Sequence, residues 1–474
     1  MSKIHSMMDI GKRSMMNSQT ALQTSGHNIA NKSTEGFSRQ RVEIQTNVPV
    51  GQGKLRYGMG SKTAAVTRIN NPYLERQIGN ERSLSGFYDG KAEAMGRVES
   101  VYNEQQNKGL NQFVADFFAS VQEMANTPES LATRTQVRET ADFLTKDFKR
   151  VNTQLKEITR DLDQQIVSSL DEVNGMTKEI ASLNEKIQAV ELSGGHANDE
   201  RDRRDLLLKQ VGDRINIRWA EGADSTVTIT AGTTGVLVAG YDAKTLVAKP
   251  TSENDTKGEG NVDIFYLNKE GAEAVNITSQ ITGGRVGGTL EVRDKVITDL
   301  LGDLDKMAYS FAANMNEVHR SGFNAYNETN MDFFELPTDV RHASANLSVS
   351  REILDDVGRI ATAGSPSSPG DPRVATKMAR LQQAKAMDGE NTFDEFYNSV
   401  VGKVGVQSKR AETASATQKD IVKQMNHLRE SVSGVSLDEE ATKLIEYQKS
   451  FDASARLIRT ADEMFDTVLN LKRL

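Results

Sequence analysis

The sequence lacks cysteine entirely, in 474 residues. Disulfide bonds, thiolate-bound metal ions and cysteine nucleophiles are therefore excluded. Proline is also scarce: the chain has eight, and three of them stand in GSPSSPGDP, Gly364 to Pro372. Such a cluster of turn-forming residues predicts a loop between helices.

An excess of positive charge is missing too, since 58 basic residues stand against 66 acidic ones and the net charge is −8. Without a clustered basic face, nucleic acid is not expected as the main partner. Lys3, Asp9, Lys12 and Arg13 leave no apolar core for a cleavable signal peptide at the amino terminus. The uncharged window Ser225 to Tyr241 is rich in threonine and glycine, so no membrane span is expected.

What the chain does contain is an apolar residue at every seventh position near each end. The two series are Met8, Met15, Leu22 and Ile29, and Leu437, Leu444, Phe451, Ile458 and Phe465, with Leu469 at a companion position. A spacing of seven places each series on one stripe of a helix and is typical of coiled coils.

Capping residues indicate where two long helices begin. Ser436 with Glu439 fits a capping box, and neither glycine nor proline interrupts Leu437 to Leu474. Such a rod would be roughly 57 Å long, and it should be marginally stable until another element covers its stripe. Thr127 and Pro128 are the expected N-cap and first residue of a middle helix.

Between the ends, the apolar pattern changes from helical to extended and back. Residues 144–187 carry apolar side chains at steps of three and four. Residues 215–282 form short runs rich in Val, Ile and Thr, separated by Gly, Asp and Asn, which predicts a β domain. Helical spacing returns in 288–320 and from 373 to 431. This order suggests that the two ends of the chain come back together.

The candidates for chemistry are weak. The six histidines never lie three to five residues apart, so no local zinc pair exists. Gly53 to Thr63 has the first half of a phosphate loop, but Met59 and Gly60 stand where Lys and Ser or Thr are required. A glycine-rich hairpin is the favoured interpretation. Ser25 and His27 lack an identifiable third group and oxyanion hole.

The charged run NDERDRRD, Asn198 to Asp205, could suggest calcium binding or paired-carboxylate catalysis. Its opposite charges are spaced by four: Asp199 with Arg203, Glu200 with Arg204, and Arg201 with Asp205. On a helix these charges are expected to neutralise one another, with Asn198 as the N-cap. A helix start is therefore favoured over a site.

NIANKSTEGFSRQ near the start and SVSGVSLDEEATKLIEYQ near the end closely resemble bacterial flagellar axial proteins. Within these, the chain is similar to the hook-associated protein 1 family of hook–filament junction proteins. LNEKIQAVELSGGHANDERDRRDLLLKQV, ITGGRVGGTLEVRDKVI, NEVHRSGFNAYNETNMDFFEL and PGDPRVATKMARL resemble that family in the same order, so the resemblance covers nearly the whole chain. FSRQ and SVSGVSLDEE look more like the junction family than like rod or hook proteins.

The resemblance implies a mainly α fold with a β insert. The terminal helices would pair as a coiled coil in an inner tube, beside a long-helix bundle and a small outer β domain. The implied domains are 1–35 with 437–474, then 36–212 with 286–436 including an extended hairpin, and 213–285. The two heptad series would then form the coiled coil and the contacts between subunits.

The resemblance also implies a structural, non-enzymatic role without cofactor or metal. The chain would be exported unfolded through the flagellar type III apparatus, without a cleaved leader, and would join the flexible hook to the filament outside the cell. The implied partners are copies of itself in a ring or tube, the hook protein, the second junction protein, and an export chaperone on the carboxy-terminal helix.

On this interpretation Ser25 to Gln40 is a hinge rather than a catalytic loop. Gly36 permits a positive φ where the chain reverses, and Phe37 offers an apolar anchor. Asn28, Asn31, Ser33 and Thr34 can satisfy helix-end and turn groups, while Arg39 and Gln40 are expected to contact a neighbouring subunit. His27 is expected to be a polar surface residue.

Two departures and two alternatives remain. The β region has room for one modest domain where relatives often have more, and Glu200 stands where the family usually has an apolar residue. One alternative is another axial protein, such as the hook protein or the second junction protein. The other is a flagellum-associated wall hydrolase, which would need carboxylates such as Asp199 or Asp202 in a cleft.

Overall fold

The computed structural model describes residues 2–52, 55–102, 109–250, 261–267, 274–387 and 389–471. In this part of the chain the helices are α1 (Ser2–Ala30), α2 (Pro72–Val101), α3 (Leu110–Asn126), α4 (Leu131–Leu192), α5 (Asn198–Arg214), α6 (Gly284–Glu291), α7 (Thr298–Arg320), α8 (Ala343–Asn346), α9 (Arg351–Asp355), α10 (Arg373–Arg380), α11 (Phe393–Ser433) and α12 (Leu437–Leu471). The strands are β1 (Gln40–Thr46), β2 (Val50–Gln52), β3 (Leu55–Tyr57), β4 (Ser61–Arg68), β5 (Ile217–Glu221), β6 (Val227–Ala231), β7 (Gly235–Ala239), β8 (Asp242–Ala243), β9 (Thr245–Pro250), β10 (Val262–Leu267), β11 (Val275–Asn276), β12 (Phe334–Glu335) and β13 (Ser348–Val349). The predicted mainly α fold with a β insert is confirmed.

Helix α4 is the central column of the molecule. Its 62 residues correspond to roughly 93 Å at the usual helical rise. The predicted start at Thr127 and Pro128 is wrong: Thr127 ends α3, and α4 begins at Leu131. Ser130 competes successfully as N-cap because its hydroxyl accepts the N–H of Thr133, at 3.4 Å.

The first half of α4 packs in an apolar core with α2, α3, α7, α10 and α11. At its centre, Phe117 contacts Phe311 and Phe333 edge to face, with ring centroids 5.5 and 5.9 Å apart. All three rings are fully buried. Edge-to-face aromatic packing of this kind adds to the free energy gained from burial.

The second half of α4 packs in another core with α5, α6 and the sheets of the β insert. One sheet has the strand order β5-β6-β7-β8 and the other β11-β10-β9, with antiparallel neighbours. Two buried asparagines of α4 fix the position of the sheets against the helix. Asn174 exchanges hydrogen bonds with the backbone of Leu246, and Asn184 does the same with Val227, all at 2.8 to 3.0 Å. The insert is therefore a layer on α4, fixed by polar as well as apolar contacts.

A π-helical turn, Val292–Ile297, lies between α6 and α7 and places Arg293 between the two cores. Its guanidinium is buried, pairs with Asp163 of α4, and donates to the carbonyl of Val262 in β10, at 2.7 Å. Such turns are rare and are frequently found at functional sites. Here the turn directs an arginine that ties the column to the insert.

After α1 the chain forms an extended hairpin, in which β1 pairs with β4 and β2 with β3. The hairpin predicted at Gly53 to Thr63 is confirmed for its described residues; Gly53 and Lys54 lie outside them. The hairpin packs beside α1, where Asn17 donates to the carbonyl of Ser61 and accepts the N–H of Thr63, at 3.1 and 2.8 Å.

Candidate assembly surface

The two terminal helices pair along their lengths in antiparallel orientation. Ser14 and Ser454 join their hydroxyl groups at 2.7 Å, and Ser18 and Ser450 join theirs at 3.1 Å. The expected return of the chain ends to one another is confirmed. Helix α12 begins at Leu437 as predicted; Lys472 to Leu474 lie outside the described residues.

Small residues form the seam between α1 and α12. A Cβ at Gly11 would lie 2.6 Å from Cγ1 of Ile458, so glycine permits the close approach of the two helices. The α1 side of the seam consists of Gly11, Ser14, Ser18, Ala21, Ser25 and Asn28, at alternating steps of three and four. The sequence interpretation missed this small-residue heptad because the apolar heptad beside it is the stronger pattern; its 3-4 spacing was the available signal.

The predicted heptad residues flank this seam. Those that are half-buried are Met8, Met15, Leu22, Ile29, Leu444, Phe451, Ile458 and Phe465. Leu437 and Leu469 are each 42 % exposed. Further large apolar side chains that the heptads did not identify are exposed nearby: Met7, Met16, Ile445, Met464 and Val468. The paired helices therefore present a substantial apolar surface to solvent.

The chain leaves α1 through a compact turn. Gly36 has a φ of +85°, which confirms its predicted left-handed conformation. Asn31 donates to the carbonyl of His27 at 3.1 Å, and Thr34 donates to the side chain of Asn31 at 3.1 Å. Phe37 is half-buried, with its ring 5.4 Å from the His27 ring. These contacts close the end of α1.

Asn28 has a wider role than closing a helix end. It is buried, and its amide both donates to and accepts from the backbone of Gln40, each at 2.9 Å. It also donates to the carboxylate of Glu440 in α12, at 3.1 Å. A single side chain thus joins α1, the first residue of β1 and the carboxy-terminal helix.

The side chains of Arg39 and Gln40 find partners within the chain, where contacts to a neighbouring subunit were expected. Arg39 donates to Glu440 and Glu439, at 2.8 and 2.7 Å, and Gln40 donates to Asp199 at 2.7 Å. Burial raises the pKa of Glu440, but hydrogen bonds to its carboxylate, with Asn28 first, lower it more, so the pKa lies below its ordinary value.

The charged run 198–205 begins α5, but its charges do not neutralise one another as predicted, and Asn198 is not the N-cap. Ala197 precedes the helix, and Asn198 instead donates to the carbonyl of Val66 at 2.8 Å. The arginines reach other elements: Arg201 pairs with Glu191 and Glu221, Arg203 with Glu179, and Arg204 with Glu221. Tertiary partners replace the local pairs because packing brings the carboxylates of Glu179, Glu191 and Glu221 within bonding distance of these arginines.

The acids of this run hold the hairpin and the turn. Asp202 accepts the backbone N–H of Ser38 at 2.6 Å and pairs with Arg68 at 2.8 Å; Arg68 also pairs with Asp205 at 2.7 Å. Burial lowers the pKa of Arg68, but the two carboxylates raise it more, so the arginine stays charged. Both oxygens of Asp202 and one oxygen of Asp205 thus accept from structural donors.

His27, one of the sequence candidates for chemistry, lies beside this charged run. Its side chain is 38 % exposed, and its Nε2 lies 3.2 Å from Oδ1 of Asp199. Among the described residues, no three His, Asp or Glu side chains are grouped to hold a metal ion. In that same part of the chain, no helix combines the length and apolar character needed to cross a membrane.

Comparison with known proteins places this architecture in a family. Residues 95–334, just over half of the chain, match the model of the flagellar hook-associated protein FlgK helical domain, and residues 429–471 match the flagellar basal body rod FlgEFG protein C-terminal model. The chain is 26 % identical to flagellar hook-associated protein 1 of Bacillus subtilis, over 98 % of this chain and 97 % of that protein.

Other relatives agree. Flagellar hook-associated protein 1 of Salmonella typhimurium is 24 % identical, over 96 % of this chain and 97 % of that protein. The solved flagellar hook junction protein FlgK of Burkholderia pseudomallei shares the fold, with a TM-score of 0.67 at 13 % identity, over 75 % of this chain and 100 % of that one. The chain therefore belongs to the flagellar hook-associated protein 1 (FlgK) family.

Proposed function

We propose that this chain is a structural subunit of the bacterial flagellum, which assembles beyond the hook and joins the flexible hook to the filament. The observation that carries the proposal is the apolar surface of the paired terminal helices. Ile445 is 61 %, Met16 57 % and Met464 46 % exposed, although both helices already have a partner in the same chain. Apolar surface that stays exposed after folding fits burial against further subunits.

The family relationship supports the same role. The matched relatives are named flagellar hook-associated protein 1 and flagellar hook junction protein. The domain division 1–35 with 437–474, 36–212 with 286–436, and 213–285 assigns the terminal pair to the subunit contacts and the insert to the outer surface. The proposed interface consists of the heptad residues, from Met8 to Leu469, together with the exposed apolar residues beside them, such as Met16, Ile445 and Met464.

The proposal includes partners and a route. The chain self-assembles into a ring or tube, contacts the hook protein and the second junction protein, and is exported unfolded through the flagellar type III apparatus without a cleaved leader. An export chaperone covers α12 before assembly, because the apolar stripe of α12 would otherwise be exposed to solvent. The protein works outside the cell, without cofactor and not as an enzyme.

A second candidate is another axial protein. The rod-protein match at residues 429–471 and the 22 % identity to the flagellar hook protein FlgE of Treponema pallidum favour it over any enzyme. Immuno-electron microscopy separates the candidates: label at the hook–filament boundary supports the junction role, and label along the hook or rod supports the alternative.

Deletion of Ser436 to Leu474 tests the role of the terminal pair. We expect a folded, secreted or cytoplasmic body that no longer supports filament attachment in cells whose own copy is deleted. Normal filaments on these cells would refute the proposal.

A point variant makes the test sharper. Ile445→Asp should leave the melting temperature of the purified monomer unchanged, because the side chain is exposed, while abolishing filament attachment. Gln448→Asp, also exposed on α12, is the matched control and should assemble normally. Normal filament attachment in both variants would show that this face of α12 is not part of the interface.

A further inference from the structure

The turn between the terminal pair and the body is held mainly by charged side chains. On one side, Asp202 accepts the backbone N–H of Ser38 and pairs with Arg68 of the hairpin. On another stand Glu440 and Arg39, which connect α12 to the turn. On a third side, Arg429 of α11 contacts the turn.

Arg429 of α11 contacts the backbone of the turn. It donates to the carbonyls of Gly36 and Phe37, at 2.9 and 3.2 Å, and pairs with Glu75 of α2 at 2.7 Å. Glu75 also pairs with Lys209 of α5, and the side chains of this trio are 7 to 12 % exposed. Burial raises the pKa of Glu75, but the two cations lower it more, so the pKa lies below its ordinary value. The trio is thus a desolvated unit in which one carboxylate is shared by two cations.

Apolar packing at the turn is slight by comparison. Gly36 lies against Leu206, since a Cβ at Gly36 would be 3.1 Å from the Leu206 Cβ, and Phe37 is only half-buried. A cleft of about 770 Å³ lies beside the turn, bordered by Lys32, Arg82 and Val432 among others. The terminal pair therefore has space to move if its polar contacts open.

We propose that six charged side chains, Arg39, Arg68, Glu75, Asp202, Arg429 and Glu440, form a joint clasp that fixes the orientation of the terminal helix pair relative to the body. This property of the single chain goes beyond the proposed function. The pair moves as a unit when the clasp opens, because the seam from Gly11 to Ala21 does not involve these residues. Glu440 also contacts the end of the seam, where it accepts a hydrogen bond from Asn28. Polar contacts can be exchanged for water one at a time, whereas an apolar core opens cooperatively, so a charged joint suits an element that must be placed and later adjusted.

The absence of cysteine makes the test direct, because two introduced cysteines are the only labelling sites. Gln424→Cys on α11 and Lys449→Cys on α12 are both exposed, and helical rise places each roughly 14 to 20 Å from the end of its helix at the joint. Spin labels there report the angle between body and terminal pair through their distance distribution in the full-length monomer.

We expect one narrow distance distribution in the labelled parent. Arg429→Met and Asp202→Asn should each broaden it at least twofold or add a second population, while helical content is retained. Arg203→Met is the matched control, since Arg203 lies on α5 beside Asp202 but pairs only with Glu179 of α4. Its distribution should equal that of the parent.

Two results would overturn the proposal. One is an unchanged narrow distribution in folded Arg429→Met and Asp202→Asn; the other is a parent distribution that is already broad. If those two variants do not fold, Glu440→Gln decides, since it keeps the shape of the side chain and removes its charge. Broadening in Leu206→Ala without broadening in Glu440→Gln would assign the orientation to apolar packing instead.

Discussion

The body and the terminal pair of this chain are held together by different forces. In the body, whole aromatic rings are removed from water, as at Phe117, Phe311 and Phe333. Among the described side chains of α1 and α12, the only apolar residues that are fully buried are two alanines, Ala21 and Ala461. The pair relies on close backbone approach and hydroxyl contacts instead.

Because of this difference, one chain can be stable alone and still present an apolar surface to other subunits. Burial of large apolar side chains is the main source of folding free energy. In the body, these side chains are buried within the same chain. On the α1 side the helices meet through small residues, with Gly11 against the side chain of Ile458, and the described large apolar residues of both helices stay at least partly exposed. Burial of those residues is then available to stabilise contacts with other subunits.

The largest effect is expected in the aromatic core. Phe311→Ala should lower the free energy of unfolding by about 3 to 5 kcal/mol, since the ring is removed and a cavity remains. Urea unfolding followed by circular dichroism measures it. Phe143→Ala, in which the native ring is 52 % exposed, is the control. A similar loss in both variants would show that burial is not what separates the two regions.

The body should also respond to mild acid. Burial lowers the pKa of His319 to about 4, while its ring hydrogen bonds to the carbonyl of Met331 and to the N–H of Ala361. The unfolded state takes up the proton first, so stability present above pH ~6.5 is lost as pH falls towards 4, by about 2 kcal/mol at pH 5. Unfolding curves at pH 7.5 and pH 5 should show this difference. In His319→Gln the difference should shrink by that amount; an equal slope would contradict the assignment.

The seam of the terminal pair is the target of the next test. Gly11→Val places side-chain atoms where Ile458 now lies and should cost about 1 to 3 kcal/mol of local stability through overpacking. Amide exchange in α12 should rise roughly tenfold or more, with the melting of the body unchanged. Gly26→Ala, at a position with no atom within 4 Å, is the control. Faster exchange in the control, or none in Gly11→Val, would mean that the helices do not meet at this seam.

The smallest effect is expected at an exposed ion pair. Arg203 and Glu179 are 51 and 44 % exposed, so Arg203→Met should change the free energy of unfolding by no more than about 0.5 kcal/mol. Thermal unfolding measures it. A loss above that range would place the exposed charges of α5 in the same class as the buried charges of the joint.

Much of this fold could be predicted from the spacing of apolar residues. The helical steps of 144–187, the β-rich runs among the described residues of 215–282 and the start of α12 at Leu437 appear in the structure. Local patterns were less reliable where several candidates stood close together. Thr127 lost the N-cap position of α4 to Ser130, because capping depends on which side chain the following turn can reach.

The candidate surface was harder to predict. The apolar heptads located both terminal helices, but the seam lies on the adjacent row of small residues, since the approach of two backbones favours Gly11 and Ser18 over Met8. The run 198–205 was recognised as a helix start, whereas its pairing with Arg68, Glu191 and Glu221 connects it to other elements of the fold. No local spacing encodes such contacts.

The periodicities of the chain predict the helices, the insert and the paired ends, because backbone geometry repeats at fixed intervals. Which row of each terminal helix meets its partner, and which acids hold the turn at Gly36, became visible only in the folded molecule. Those choices depend on the distance between elements and on the desolvation of charges, which are properties of the assembled chain.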